Sequence, residues 1–468
     1  MGGGAARDGA LVALGVGLGA CGAAAACALG RRRDRGAGPP PPSDDAPPPP
    51  PLPRCDSLSA AQIARYSRQL LLPCFGTAAQ LRLRGASALV IGAGGLGSPV
   101  IAYLAGAGIG RLGVVDDDTV DASNLHRQVI HGGSAPGLNK ALSAGRAVAQ
   151  LNPDVDYVAY TSRLTAENVG RLVGAYDVVI DASDNLLTRY LVNDACVLQK
   201  RPLVSGAAIG AEGRATVYNH TASGGPCYRC LFGSPPPAAT VASCSDNGVL
   251  GMVPGVMGCI QALEALKILA QMPHASVLAQ RMCIYDALAG EFVNVKLRPR
   301  AAKCAVCGSA PTIRSVADSE AWCRQQNLMP FEGTAGQCVR PEPAGPELPS
   351  TQRITCRELR ERTSAAQSEV PTPWFLLDVR EEVQFAICSL PHATNVPLRE
   401  LDRKLADVVL EAAGRPTYVI CRRGVDSVVA TQKLVAFAEQ SAEGARFFNV
   451  DGGLAEWHHR VDSSFPLY

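Results

Sequence analysis

The sequence predicts an α/β protein with two folded domains, the larger one built on a mostly parallel sheet with helices on both faces. From Ala61 to about Pro311, short β-rich runs alternate with longer helical stretches, and the same alternation returns from Thr351 to Tyr468 over the length of one small domain. Between them, Arg340 to Pro349 carries four prolines, which is typical of a linker. The predicted organisation is a low-complexity tail at 1–60, a domain at 61–311, a linker at 312–350 and a domain at 351–468.

Composition excludes several classes of protein. The 44 Lys and Arg residues nearly balance 42 Asp and Glu residues, so the net charge of +2 gives no basic excess for direct binding to nucleic acid. Hydrophobic residues make up 47% of the chain, enough to build ordinary cores. The 17 cysteines include two C-x-x-C pairs, a pattern typical of metal ligands and reactive thiols in a reducing compartment. We therefore expect a cytosolic protein.

The first sixty residues form the predicted tail. An uncharged stretch from Ala10 to Gly30 is long enough to span a bilayer, but it is mostly Ala and Gly, and no basic region precedes it. We expect no membrane association. Were this stretch to insert, Arg31 to Arg33 would favour keeping the following domains in the cytosol.

Short apolar runs give the predicted strands. In the larger domain these are Ser87 to Ile91, Arg111 to Val115, Asp177 to Ile180, Pro202 to Ser205 and Ala215 to Asn219. In the smaller domain they are Trp374 to Asp378 and Thr417 to Ile420, followed by a predicted helix from Asp426 to Glu439.

A glycine-rich turn follows the first predicted strand. Gly92 to Gly97 has the G-x-G-x-x-G spacing, and Asp116 ends the next strand where a ribose hydroxyl would lie. The glycines allow backbone amides to approach phosphate groups at a helix N-terminus. By itself this loop fits a dehydrogenase cofactor, another nucleotide or a purely structural turn.

Cationic and polar residues after these strands favour phosphoryl chemistry on ATP. Arg68, Arg127 and Lys140 would together neutralise phosphate charge, which hydride transfer does not need. The blocks RYSRQL, GAGGLG, DDDTVDASNLHRQ, GLNKA and DASDN resemble, in this order, the adenylation domain of ubiquitin-activating-type enzymes, in particular the molybdopterin-synthase sulfurylases. The alternative for each cation in isolation is a solvated surface charge.

This resemblance implies an ATP site and a homodimer. Asp184 would help to hold Mg²⁺ near the phosphates, and Arg68 would reach in from the partner subunit. The implied nucleotide-binding residues are Gly95, Asp116, Ser123, Asn124, Leu125, His126, Arg127, Lys140, Asp184, Asn185 and Arg68.

Four cysteines have the spacing of a closed tetrahedral Zn²⁺ site. Cys227 and Cys230 form C-Y-R-C, and Cys304 and Cys307 form C-A-V-C. Such a site would clip the late part of the larger domain to its middle, so we expect a structural role. The alternative is a redox disulfide.

Two further cysteines are candidate nucleophiles. Cys244 lies in a glycine-rich segment, where a lone cysteine would by default be a small buried apolar residue; its place before G-V-L-G matches the acceptor cysteine of the resembled family. Cys421 follows a predicted strand in C-R-R-G-V-D-S, a loop with a helix N-terminus behind it. Amides of such a loop would face the sulfur and lower its pKa. Arg422 and Arg423 are either solvated charges or attract an anionic sulfur donor.

A loop of this kind also occurs in cysteine phosphatases, where it is usually one residue longer and ends in arginine. Here the blocks L-L-D-V-R, L-P-H-A-T-N-V-P-L and D-G-G-L-A-E-W resemble a rhodanese domain. The domain order resembles a family of eukaryotic adenylyltransferases and sulfurtransferases that serve molybdenum cofactor synthesis and tRNA thiolation.

That resemblance implies a reaction and partners. ATP would adenylate the C-terminal glycine of a ubiquitin-like sulfur carrier, and a persulfide on Cys421, charged by a cysteine desulfurase, would convert it to a thiocarboxylate with the help of Cys244. The implied carriers are the small molybdopterin-synthase subunit and a ubiquitin-related modifier. Two alternatives remain at this point: an activating enzyme that holds a modifier as a thioester on Cys244, and a non-catalytic scaffold.

Overall fold

The computed structural model describes residues 49–53, 55–236, 248–326, 328, 348–364, 373–440 and 446–466. These residues divide into two compact units, the first ending before residue 331 and the second beginning after it. Each unit is an α/β fold, which confirms the predicted fold class. Cys244, the uncharged stretch Ala10 to Gly30 and most of the predicted linker lie outside the described residues.

The first unit is built on an eight-stranded sheet in the order β3-β2-β1-β4-β5-β6-β7-β8. Strands β1 to β5 pair in parallel, and β6 to β8 continue the sheet as antiparallel neighbours. The strands are β1 (Ser87–Ile91), β2 (Arg111–Val115), β3 (Asp156–Tyr160), β4 (Val178–Asp181), β5 (Leu203–Ile209), β6 (Glu212–Tyr218), β7 (Arg281–Asp286) and β8 (Glu291–Lys296). The helices are α1 (Ala60–Leu70), α2 (Gly76–Arg84), α3 (Gly97–Ala107), α4 (Lys140–Leu151), α5 (Ala166–Gly174), α6 (Leu186–Leu198), α7 (Tyr228–Leu231), α8 (Met252–Leu269) and α9 (Val316–Gln325).

Helices cover both faces of this sheet, as strand β1 illustrates. Its Ala88 and Val90 belong to one buried cluster and its Leu89 to another on the opposite face, because successive side chains of a strand point to opposite sides. All five residues of β1 are buried. A continuous apolar run is the pattern expected of a strand buried on both faces, which explains why this strand was predictable.

Two parts of the first unit differ from the sequence predictions. Strands β3, β7 and β8 were not predicted; β8 is exposed along its whole length, so its sequence carries no core pattern. Helix α9 occupies part of the segment predicted as linker, where a capping box at Ser315 starts the helix and Cys323 is fully buried. The folded part of this unit therefore extends beyond residue 311.

Helix α8, Met252–Leu269, is long and apolar enough to span a membrane, and it is the only such helix within the described ranges. Half of it is buried in the first unit, where Met257 and Ala265 belong to the main core cluster. Its apolar composition is accounted for by its packing against the sheet.

The second unit contains a five-stranded parallel sheet in the order β11-β10-β12-β13-β9. Its strands are β9 (Arg353–Ile354), β10 (Phe375–Asp378), β11 (Ala393–Asn395), β12 (Thr417–Ile420) and β13 (Phe447–Val450). Its helices are α10 (Cys356–Ser364), α11 (Glu382–Ile387), α12 (Leu398–Ala412), α13 (Asp426–Gln440) and α14 (Gly453–Arg460). Two buried clusters again lie on opposite faces of the sheet.

Candidate active sites and a candidate metal centre

The glycine loop joins β1 to α3 at the carboxyl edge of the parallel strands. A Cβ on Gly97 would overlap the carbonyl of Gly92, so only glycine allows the turn to close this tightly. Gly95, a predicted nucleotide residue, lies beside Pro254 of α8 and the carbonyl of Arg127. The loop therefore lies where three elements of the first unit meet.

Asp116 lies directly after β2 and faces this loop. Its carboxylate accepts hydrogen bonds from the amides of Ala93, at 2.7 Å, and Asp118, at 3.0 Å. Burial raises the pKa of Asp116 from 3.8 to about 6, although nearby Lys140 opposes the shift. The carboxylate is thus fixed against the loop.

Lys140 is the first residue of α4, and its ammonium lies 2.8 Å from the Asp118 carboxylate. Burial by itself would lower the pKa of Lys140, but the attraction of Asp116, Asp118 and Asp184 outweighs it and the pKa is raised. Lys140 is therefore held as a cation beside the carboxyl ends of the strands. The structure thus brings three of the predicted site residues together, and Asp118 is an additional member that was not singled out from the sequence.

The residues between β2 and α4 form a compact turn. Asp121 caps the short 3₁₀ helix Ala122–Asn124 by accepting from the amide and hydroxyl of Ser123, and these bonds lower the pKa of Asp121. Nη2 of Arg127 donates to the side-chain oxygen Oδ1 of Asn124 at 2.6 Å, and Nη1 of the same arginine lies 2.8 Å from Nε2 of the exposed His126. Leu125, between them, is half-buried. Arg127 is therefore positioned by its own turn.

Two residues after β4 complete this edge of the sheet. Asn185 caps α6 by accepting from the amide of Thr188 at 2.8 Å, so its side chain is occupied in local structure. Asp184 is exposed and acts on Lys140 through its charge. An exposed carboxylate beside the lysine has the chemistry required to coordinate Mg²⁺ carried by a nucleotide.

Arg68 lies apart from the glycine loop of its own chain. It is exposed in the last turn of α1, where the neighbouring Gln69 donates to the carbonyl of Ala107 at the end of α3. The loop is at the other end of α3, and 11 helical residues correspond to roughly 16 Å. Arg68 therefore does not contact the glycine loop of its own chain.

The four cysteines of the candidate metal centre converge. The Sγ atom of Cys227 lies 3.7 Å from that of Cys230 and 3.6 Å from that of Cys304, and those of Cys230 and Cys307 are 3.3 Å apart. These separations are too long for a disulfide bond. A tetrahedral ion with Zn–S bonds of 2.3 Å would place its sulfurs about 3.8 Å apart, so the four thiols fit zinc.

A buried ion pair holds one of the two cysteine turns in place. Arg229, between Cys227 and Cys230, makes a two-pronged contact with Asp194 of α6, with donor–acceptor distances of 2.7 to 3.0 Å. The Trp322 ring of α9 lies 3.8 Å from its guanidinium carbon, and the Ser319 hydroxyl donates to Asp194 at 2.5 Å. No local sequence pattern marks this network, because Arg229 and Ser319 are 35 and 125 positions from Asp194.

In the second unit, Cys421 lies at the end of β12 in the loop that leads to α13. The amide of Gly424 donates to its sulfur at 3.1 Å, and the Ser427 hydroxyl lies 3.3 Å away. These donors act in the predicted direction, but the expectation of a lowered pKa is wrong for the free thiol. Burial raises the pKa of Cys421, and this effect outweighs the hydrogen bonds.

The D-G-G-L-A-E-W block supports this loop from behind. The amides of Leu454 and Ala455 donate to the carbonyls of Cys421 and Arg422, both at 2.9 Å. Gly453 has a φ of 59°, and a Cβ there would lie 2.8 Å from the amide nitrogen of Gly424. The loop can therefore adopt its shape only beside a glycine.

The L-L-D-V-R block has a structural role. Arg380 is fully buried and makes a two-pronged contact with Asp378, the last residue of β10, at 2.6 to 2.9 Å. Asn395 of β11 donates to the carbonyls of both residues. This pair fixes the start of the chain that follows β10, at the same edge of the sheet as Cys421.

Comparison with known proteins is consistent with both units. Residues 66–306 match the ThiF family, and residues 356–460 match the Rhodanese-like domain. The chain is 44% identical over 417 residues to "Adenylyltransferase and sulfurtransferase MOCS3" of Aedes aegypti, covering 88% of this chain and 90% of that protein. The protein of the same name from Bos taurus is 44% identical over 431 residues, with coverage of 89% and 90%. That from Dictyostelium discoideum is 38% identical over 434 residues, with coverage of 88% and 98%.

Proposed function

The chain belongs to the ThiF family, and from this membership and its Rhodanese-like domain we propose that it is an adenylyltransferase and sulfurtransferase that converts the C-terminal glycine of a ubiquitin-like sulfur carrier to a thiocarboxylate. The observation that carries this function is the presence in one chain of two sites. One is the cluster of Asp116, Lys140 and Asp184 beside the glycine loop, and the other is a cysteine held in a loop of amide donors.

In the first step, the carrier carboxylate attacks the α-phosphorus of ATP and pyrophosphate leaves. Asp116 accepts from the ribose, and the amides of the glycine loop bind phosphate oxygens. Arg127 and Lys140 neutralise the charge that develops on the phosphates, and Asp184 helps to hold Mg²⁺ there. The product is an acyl adenylate, whose carbonyl is open to attack.

In the second step, the outer sulfur of a Cys421 persulfide attacks that carbonyl and displaces AMP, which gives an acyl disulfide. The amide of Gly424 and the hydroxyl of Ser427 stabilise the anionic sulfur. Cys244 then attacks Sγ of Cys421, so that the thiocarboxylate leaves and a Cys244–Cys421 disulfide forms. Cellular thiols reduce this disulfide to two free thiols, and the sulfur donor then restores the persulfide on Cys421.

The edge of the larger sheet offers a surface for the carrier. Strand β8 exposes Val293 and Val295 on one face and Phe292 on the other, each about half accessible. Among the described residues, β8 pairs with a strand on one side only, and such an edge with apolar side chains is suited to a protein partner. The carriers proposed are the small molybdopterin-synthase subunit and a ubiquitin-related modifier, with a cysteine desulfurase as the sulfur donor.

A homodimer, a zinc ion and a cytosolic location complete the proposal. The partner's copy of the arginine at position 68 would complete the phosphate site, since this residue lies at the far end of α3 in its own chain. Zinc bound by Cys227, Cys230, Cys304 and Cys307 supplies structural cross-linking between two distant parts of the chain. The reducing conditions of the cytosol keep these thiols available.

Mass spectrometry of the carrier tests this function. After incubation with ATP, Mg²⁺ and a sulfur donor, the carrier should gain the mass of a thiocarboxylate. The Cys421→Ala variant should keep carrier-dependent exchange between ATP and pyrophosphate within about twofold and lose thiocarboxylate formation. The Lys140→Ala variant should lose both.

Cys388→Ala is the matched control, since it removes a half-buried thiol of the same unit that contacts the carbonyl of Pro466. It should keep both activities. Loss of exchange in Cys421→Ala would contradict the division of labour between the two sites. A carrier thioester that accumulates on Cys244 without a sulfur donor would favour a conjugating enzyme instead.

A further inference from the structure

His131 is a buried histidine near the glycine loop with both ring nitrogens engaged. It is 6% exposed, and its Nε2 lies 2.9 Å from the carbonyl oxygen of Ala93 while its Nδ1 lies 3.0 Å from the hydroxyl of Ser143. A carbonyl oxygen can only accept, so Nε2 carries a hydrogen. Burial lowers the pKa of His131 below its ordinary value, which favours the neutral ring, with Nδ1 accepting from Ser143.

The contact fixes the peptide group between Ala93 and Gly94. Ala93 is fully buried, and its amide is already held by Asp116 at 2.7 Å. In a planar trans peptide the carbonyl and the next amide point in opposite directions. When His131 holds the Ala93 carbonyl toward the interior, it aims the Gly94 amide outward. No residue in the described ranges accepts a hydrogen bond from that amide.

The same ring also contacts the helix that carries Lys140. Ser143 is one turn further along α4, and residues three apart lie on the same face of a helix. The position of the loop is therefore coupled through one side chain to the start of α4. Both Ser143 and Lys140 are buried, so this contact is shielded from water.

We propose that His131 is a positioning residue for the triphosphate of ATP. His131 orients the Gly94 amide to donate to a phosphate oxygen of ATP and fixes the position of the glycine loop relative to Lys140. This inference rests on the proposed adenylation activity. It concerns the phosphate part of ATP only, because Asp116, which faces the ribose, is held by the separate amide bonds of Ala93 and Asp118.

Two substitutions of His131 distinguish the roles of its two ring nitrogens. The amide nitrogen of a glutamine can reach the position of Nε2 and keep the bond to Ala93, whereas that of an asparagine ends near Nδ1 and cannot. His131→Asn should weaken ATP binding about tenfold, the effect of losing one buried hydrogen bond together with its phosphate contact. His131→Gln should stay within about threefold of the unsubstituted protein.

Adenosine, which lacks the phosphates, distinguishes a specific loss of phosphate binding from a general loss of structure, because a general loss would weaken the binding of both ATP and adenosine. In His131→Asn, the Michaelis constant for ATP in pyrophosphate exchange should rise about tenfold, while the inhibition constant of adenosine should change less than twofold. Ser143→Ala is a milder change, since it keeps the His131 ring. It should raise the Michaelis constant for ATP about threefold and leave the inhibition constant of adenosine unchanged. Ser143→Ala and His131→Gln carry the test if His131→Asn does not fold.

His220→Asn is the matched control, since His220 is also buried and its Nδ1 lies 2.7 Å from the hydroxyl of Ser223, outside the glycine loop. It should leave both constants unchanged. Equal weakening of ATP and adenosine, or a His131→Gln variant as impaired as His131→Asn, would overturn the inference. Absence of exchange in the unsubstituted protein would instead overturn the proposed function, so the two failures are distinguishable.

Discussion

Arg229 shows how much the candidate metal centre depends on a residue other than its four cysteines. Its guanidinium and the Asp194 carboxylate are each at most 1% exposed, and Nη1 of the arginine has no hydrogen-bond acceptor in the described part of the chain. Each of these buried charges needs the other as its partner, because water cannot reach the charge that remains when its partner is removed. The cysteine turn is thus held by an ion pair as well as by its sulfurs.

Removing this arginine should destabilise the first unit. In Arg229→Ala, the buried Asp194 carboxylate loses its partner, and the free energy of unfolding should fall by about 3–5 kcal/mol in urea titrations. Arg324→Ala is the control, since it breaks an exposed pair with Glu320 in α9 and should cost less than about 0.5 kcal/mol. Similar losses in the two variants would contradict this account of Arg229.

Asp116 should make the stability of the first unit depend on pH. Its folded-state pKa of about 6 lies above the unfolded value of 3.8, so the folded protein binds the proton more tightly between these values. The resulting stabilisation is fully present below about pH 4 and is lost as the pH rises through 6.

Asp116→Asn should remove this dependence. Relative to the variant, the unsubstituted protein should lose on the order of 2 kcal/mol of unfolding free energy between pH 4 and pH 7, as measured by denaturant titration at each pH. Asp117→Asn, at the exposed neighbouring position, should follow the unsubstituted protein. Parallel pH curves for Asp116→Asn and the unsubstituted protein would show that burial of this carboxyl has no such effect.

At the scale of elements, the loop between β12 and α13 depends on the start of α14. Gly453→Ala should disrupt this contact, because the new methyl group would meet the loop at Gly424 and at the carbonyl of Cys421. We expect a loss of roughly 3 kcal/mol in the second unit and sulfur transfer reduced at least tenfold.

Gly414→Ala separates this steric effect from backbone strain. Gly414 has a similar positive φ of 73°, but nothing lies within 4 Å of its Cβ position. Its substitution should cost only about 1–2 kcal/mol and leave sulfur transfer unchanged. Equal effects of the two substitutions on transfer would mean that strain, rather than contact with the loop, is responsible.

At the scale of the whole molecule, each unit has its own buried clusters. The cluster around the four cysteines and the two on either side of the eight-stranded sheet draw only on the first unit, and the two around the five-stranded sheet draw only on the second. We therefore expect two transitions in differential scanning calorimetry. Cys227→Ser should lower the first by roughly 5 °C or more and leave the second in place.

Cys259→Ala, at a half-buried thiol in α8 away from the cysteine cluster, is the control for this experiment. Treatment with a strong zinc chelator should reproduce the effect of Cys227→Ser and should have no further effect on that variant. A single transition shifted by substitutions in either unit would show that the two unfold together.

Features encoded in short contiguous stretches could be predicted from the sequence. Strand β1 and the glycine loop, the two C-x-x-C pairs and the cysteine loop after β12 were all predictable, because backbone conformation and ligand spacing depend on neighbouring residues. The same local signals identified the fold class.

Contacts between residues far apart in the chain became known only from the folded structure. His131 and Ala93 are 38 positions apart, and Ser319 reaches Asp194 across 125 positions; no periodicity in the sequence marks either contact. Helix α9 was overlooked because one buried thiol and one stacked tryptophan make too weak an apolar pattern. The raised pKa of Cys421 has the same origin, since burial depends on everything packed around the sulfur and not on the loop alone.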